Sequence, residues 1–206
     1  MSLVDRSRPY WLMGGLAAVA LAGGTTALVC RYVTPGSPAA KAEVRSAFTQ
    51  AMRADLAVQG PPTSWHLAAP TADRPAGMPD AAQRRRQLAD GLAVLSRCFT
   101  PAQARHEAVA LRNVVAEEAE PTFRNLGRGV SAVDFRRVSV SGSRATVRAD
   151  VTAWSKAQDQ QRPGGGWNTS DPVNVMDYTA TLVRDPASGR WLVSSLKGDF
   201  VPGEGP

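Results

Sequence analysis

The sequence predicts an α+β domain carried behind a single membrane span. Three observations predict it. Residues 11–30 contain no charge. Apolar residues then recur at helical spacing up to about residue 115, and alternate at strand spacing from about residue 130. Helices first and strands afterwards is the order of an α+β domain, with helices packed on one face of an antiparallel sheet.

The N-terminal run "YWLMGGLAAVALAGGTTALVC" supplies about 20 helical residues, enough to cross about 30 Å of hydrocarbon. Tyr10 and Trp11 stand at one end and Tyr32 at the other, where interfacial aromatics belong. Arg6 and Arg8 precede the run and favour a cytoplasmic N-terminus. Residues 1–10 then form a cytoplasmic tail, 11–30 the anchor and 31–37 a linker. The bilayer is thus one partner, through residues 11–30. The expected location is the cell membrane, single-pass, with the domain extracytoplasmic. The alternative is a cleaved signal peptide, since Ala22-Gly23-Gly24 and Thr25-Thr26-Ala27 offer small residues, and the protein is then secreted. Lipidation of Cys30 is not expected, because Val29 stands where a small residue is needed.

The domain itself is placed at 38–200, with a flexible tail at 201–206. Ser37-Pro38 reads as an N-cap followed by proline in the first turn. Val44, Phe48, Met52 and Leu56 make one apolar stripe, and Gly60-Pro61-Pro62 ends that helix. Five prolines between residues 60 and 79 predict an irregular loop. His66 within it has no neighbouring ligand residues and is read as structural. Asp80 and Gln83 form a capping-box pattern that opens a second helix, with Leu88, Leu92, Leu95 and Phe99 on its buried face. Thr100-Pro101-Ala102-Gln103 repeats the pattern. The third helix then buries Ala104, Ala108, Leu111 and Val115, and Pro121 closes it.

After Gly127 and Gly129 the period becomes two. Val133 and Phe135 lie on one parity and Val138 and Val140 on the other, so a bulge near Arg136-Arg137 is expected to bring both pairs to one face. Ser141-Gly142-Ser143 turns the chain. Ala145, Val147, Ala149, Val151 and Ala153 then alternate with polar residues. Gly164-Gly165-Gly166 forms a loop. The last hairpin pairs Met176–Leu182 with Trp191–Leu196 around Asp185-Pro186-Ala187-Ser188-Gly189. The expected sheet is curved, antiparallel and four-stranded.

Composition narrows function. The net charge of +6 comes from 21 Arg and 3 Lys, scattered along the chain. Its one run, Arg84-Arg85-Arg86, falls at a helix start and reads as a solvated face, so no nucleic-acid partner is predicted. Cys30 and Cys98 are separated by the anchor and the core, which argues against a disulfide; Cys98 is expected to be a free, buried thiol. No metal-ligand cluster, nucleophile elbow or phosphate-binding glycine loop is present, and neither a cofactor nor a metal is predicted. An enzyme built on such a domain needs a carboxylate base and a hydrogen-bond donor facing its interior. Tyr178 offers a donor, but Asp177 beside it faces the other side of the strand. Asp134, Asp150 and Asp199 fall on the polar parity or at a strand end, and His106 falls on a helix surface.

The element order and the closing segment "YTATLVRDPASGRWLVSSLKGDF" resemble the nuclear-transport-factor-two-like superfamily, a cone of curved sheet around helices, over about residues 38–200. With an anchor in front, the chain is similar to two of its membrane-bound groups. These are the Mce-associated proteins of actinobacteria and the assembly components of type IV secretion and conjugation machines. The resemblance implies a non-enzymatic scaffold or accessory protein of a membrane transport or secretion assembly, with membrane-protein partners or self-association. The alternative it implies is a small-ligand-binding or enzymatic domain using the cone's cavity. Trp154, Trp167, Trp191 and Val193 are the residues proposed for an interaction surface, the last on a strand expected at the sheet edge.

Overall fold

A computed structural model describes residues 36–61, 79–162 and 164–201. The candidate span, the linker up to residue 35, most of the proline-rich loop with His66, and the tail from 202 lie outside them. Among the described residues, no helix is long and apolar enough to cross a membrane.

Three helices lead: α1 (Pro38–Val58), α2 (Ala81–Cys98) and α3 (Pro101–Glu117). Five strands follow: β1 (Phe123–Ser141), β2 (Arg144–Asp159), β3 (Asn168–Ser170), β4 (Val173–Arg184) and β5 (Trp191–Phe200). They form one antiparallel sheet in the order β1-β2-β4-β5, with β3 paired to the far end of β2. The predicted α+β class and the three helices are present. The predicted four strands are a five-stranded sheet, because the segment beginning at Asn168 adds three residues of ladder beside Ala157–Asp159.

The caps form largely as the sequence predicts. Ser37 Oγ accepts from the Ala40 amide, and Asp80 and Gln83 close a reciprocal capping box. Thr100 differs: its side chain makes no cap bond. Its amide instead donates to Val193 O at 2.9 Å, tying the α2–α3 junction to β5.

The α1 stripe also differs in one respect. Val44, Phe48 and Met52 are buried, but the next inward residues are Asp55 and Gln59, with Leu56 only half-buried. Four residues advance a helix by about 400°, so a strict four-residue spacing drifts about 40° per step off the packed face. About eleven residues make three turns, which returns Val44 to Asp55 and Phe48 to Gln59. In α2 the predicted Leu88 and Leu92 are half-buried, while Gln87 and Gly91 are fully buried. Gly91 is the point of closest approach: a Cβ there would stand 2.7 Å from Leu111 Cδ2. The two leucines flank that crossing. Cys98 is free, as predicted, but half-buried on the wall of a cleft.

The predicted bulge lies between Phe135 and Arg137. It brings Val133, Phe135, Val138 and Val140 opposite Val151, Ala149, Val147 and Ala145, all core residues of β2. β1 starts earlier than expected, at Phe123, with Gly127 and Gly129 inside it. Trp154 of β2 covers both: a Cβ on Gly129 would stand 2.8 Å from Trp154 Nε1. The glycines mark an aromatic lying across the strand and not the strand's beginning.

The core is one cluster. Phe48 and Met52 of α1, Leu95 and Phe99 at the end of α2, and Leu111 of α3 pack against Val147, Val151, Leu182 and Val193 of the sheet. Phe48 meets Phe135 edge-on, with centroids 5.8 Å apart. All three helices therefore pack on one face of the sheet.

Candidate functional site

The four residues proposed for an interaction surface do not stay together. Trp191 is 7% exposed and Val193 1%, and both belong to the core. They are corrected from surface to core residues: the last strand starts beneath the α2–α3 junction, where Phe99 bridges to Val193. Trp154 is half-buried over Gly127 and Gly129. Trp167 is half-buried with the Arg124 guanidinium 4.9 Å from its ring. The sheet's edge strands are β1 and β5, and the later half of β5 lies beyond the Phe99–Val193 bridge. Phe200 there is 46% exposed, and Val173, at the start of the neighbouring strand, is 58% exposed.

The face of the sheet away from the helices carries an acidic row. Asp134, Asp150, Asp177 and Asp199 are successive cross-strand partners over β1, β2, β4 and β5. Like charges placed directly opposite repel. Two arginines offset this. Arg136, delivered by the bulge, donates from Nε to Asp150 at 2.8 Å, and Arg148 donates to Asp177. The Arg148 hydrogen bond holds the Asp177 carboxyl below the usual range. Asp134 and Asp199 end the row with no ion-pair partner among the described residues.

A second cluster lies on the helix side, and the sequence reading did not anticipate it. Asp55 of α1 is buried and accepts from Gln59 Nε2 at 3.3 Å. Burial, and then the Glu107 carboxylate of α3, push its carboxyl up to about 7. Tyr178 of β4 is half-buried; burial, then Asp55 and Glu107, push its phenol up to about 12. Asp55 thus titrates near neutrality within electrostatic influence of Tyr178, whose hydroxyl donates to Met176 Sδ at 3.6 Å. Chemically these are a proton acceptor and a hydrogen-bond donor placed on the same side of the sheet by separate elements, groups that the strands alone could not supply. The three-turn repeat of α1 was the available signal for Asp55. Nothing local signals that Glu107 approaches it. Asp177 and His106 are placed as expected, on the outer sheet face and on an exposed helix position.

Beside Asp55 a buried polar clamp joins four elements. Asn125 Nδ2 donates to Gln59 O at 2.6 Å and to Glu118 Oε1 at 3.1 Å. Gln87 Nε2 donates to Gly60 O at 3.3 Å. These bonds satisfy the C-terminal end of α1, and burial raises the Glu118 carboxyl. No group of three or more potential metal ligands occurs among the described residues.

No family model matches the chain, and no curated protein matches it. Among solved structures it is similar to the intermembrane space region of the chloroplast protein ARC6, at 12% identity over 78% of this chain and 97% of that one. The TM-score of 0.43 is too low to carry an argument.

Proposed function

We propose that this chain is a membrane-anchored, non-enzymatic accessory or scaffold protein of a transport or secretion assembly. Its α+β domain lies outside the cytoplasm and recognises membrane-protein partners through the open face of the sheet. The observation that carries this reading is the one-sided packing. The three described helices cover one sheet face, and the other presents the row Asp134–Asp150–Asp177–Asp199 beside the open half of β5. A charged sheet face fixes the orientation of a partner, and an open strand edge can pair with it. The uncharged run at 11–30 supports the anchor, and a single anchor concentrates the domain near other membrane proteins. The helix-then-meander order supports the cone-like subclass of the nuclear-transport-factor-two-like superfamily.

A second reading has its own observation. Asp55, Glu107 and Tyr178 influence one another's charge on the helix side of the sheet, as the groups of a ligand-binding or proton-transferring interior would.

Complementation of a deletion strain separates the two, with every variant checked for folding. The scaffold reading expects Asp134→Lys and Asp199→Lys to abolish complementation and co-purification of membrane partners. It expects Asp55→Asn and Tyr178→Phe to retain both. Loss of function in a folded Asp55→Asn or Tyr178→Phe variant that still co-purifies every partner replaces it with the interior reading.

A further inference from the structure

A cleft of about 530 Å³ opens between the first half of α1, the end of α2 and the β4–β5 turn. Three guanidiniums from three segments line it: Arg97, Arg184 and Arg190. The one carboxylate on its wall is Glu43, 3.5 Å from Arg184. Arg184 is also held by Gly189 O at 2.8 Å and lies 5.9 Å from the Trp191 ring. Neither Arg97 nor Arg190 has an ion-pair partner among the described residues. Trp191 completes the wall, and its buried Nε1 has no acceptor.

We propose that this cleft binds a phosphate-bearing anion. Three guanidiniums face one carboxylate on the wall and Asp185 in the turn behind Arg190, a surplus of positive charge that suits an anion. Guanidinium forks match phosphate oxygens in shape as well as charge. The volume falls in the range of small-ligand sites, about 300–1,000 Å³. Two sources share this chemistry: a free phosphate-bearing solute and a lipid headgroup. The headgroup source rests on reading residues 11–30 as a membrane span.

Cys98 lies on the cleft wall and reports occupancy. Burial pushes its thiol up and Arg190 and Arg97, on the same wall, pull in the opposite direction. The full chain carrying Cys30→Ser has Cys98 as its sole thiol. Its alkylation by neutral iodoacetamide is followed above neutral pH, in non-ionic detergent, with and without inorganic phosphate. Phosphate is expected to slow labelling several-fold, and chloride at equal ionic strength to leave it unchanged. Arg97→Gln with Arg190→Gln is expected to remove that protection. Arg85→Gln with Arg112→Gln, in a separate groove between α2 and α3, is expected to keep it. The ratio of rates with and without phosphate is internal to each variant, so altered thiol reactivity cancels. In nanodiscs in phosphate-free buffer, protection by phosphatidate over phosphatidylcholine assigns a headgroup; protection in detergent alone assigns a free solute. The detergent measurement does not use the membrane reading, so the two can fail separately. Absence of protection by either probe, or protection unchanged in the Arg97/Arg190 variant, overturns the proposal.

Discussion

The ring of Tyr178 covers Gly198, its direct cross-strand partner on β5. A Cβ on Gly198 would stand 2.8 Å from Tyr178 Cδ1 and 2.9 Å from Cζ, and closer still to Cε1. The glycine gives the ring its place on the helix side, where the phenol comes under the influence of Asp55 and Glu107.

That contact predicts the cost of filling the space. Gly198→Ala drives a methyl into a rigid ring and should destabilise the domain by about 1–3 kcal/mol, the usual cost of overpacking. The loss should shrink when Tyr178→Ala is added, because the obstructing ring is then gone. A double-mutant cycle by urea denaturation measures this. Equal losses in both backgrounds would show that the ring does not set the cost.

Asp55 predicts a pH dependence with a definite sign. Its folded pKa of about 7 lies above the ordinary value of 3.8, so the folded state binds more protons between those limits. The stabilisation is complete below pH 3.8 and is lost as pH rises towards 7. Asp55→Asn should remove that decline and leave the variant relatively more stable above pH 7 than below pH 4. Urea midpoints across this range, wild type minus variant, report it. A difference that does not change with pH would return Asp55 to an ordinary carboxyl.

Phe99 predicts the stability of the junction between α2, α3 and β5. It is 1% exposed, and its backbone bridges to Val193. Phe99→Ala should cost about 3–5 kcal/mol by loss of transfer energy and creation of a cavity. Thermal melting within a degree or two of wild type would contradict the packing.

The proposed anchor predicts a topology. Ser188 lies exposed in the β4–β5 turn. In the Cys30→Ser background, Ser188→Cys should react with a membrane-impermeant thiol reagent in wall-free cells, faster than the half-buried Cys98 alone. Protection of the turn until the membrane is lysed would place the domain in the cytoplasm.

The sequence by itself determined the order of elements, the capping box at Asp80 and the bulge between Phe135 and Arg137. Each follows from local spacing: 3.6 residues per helical turn, two per strand pleat, and one extra residue to restore parity. The polar parity of Asp134, Asp150, Asp177 and Asp199 was legible in the same way. Their alignment into one row was not, because register between strands depends on the shifts at Phe135/Arg137 and Thr181/Leu182 acting together with the connections between strands. Trp191 and Val193 read as an exposed edge until the α2–α3 junction covered them, which is a contact across more than 90 residues of chain. Asp55 shows the same division. Its place on the inward face of α1 was written in the helical repeat, but its pKa depends on burial beneath the sheet and on Glu107 from another helix. Periodicity says which way a side chain points. Only the packed structure says what it meets there, because desolvation and Coulomb energies depend on distances through space and not along the chain.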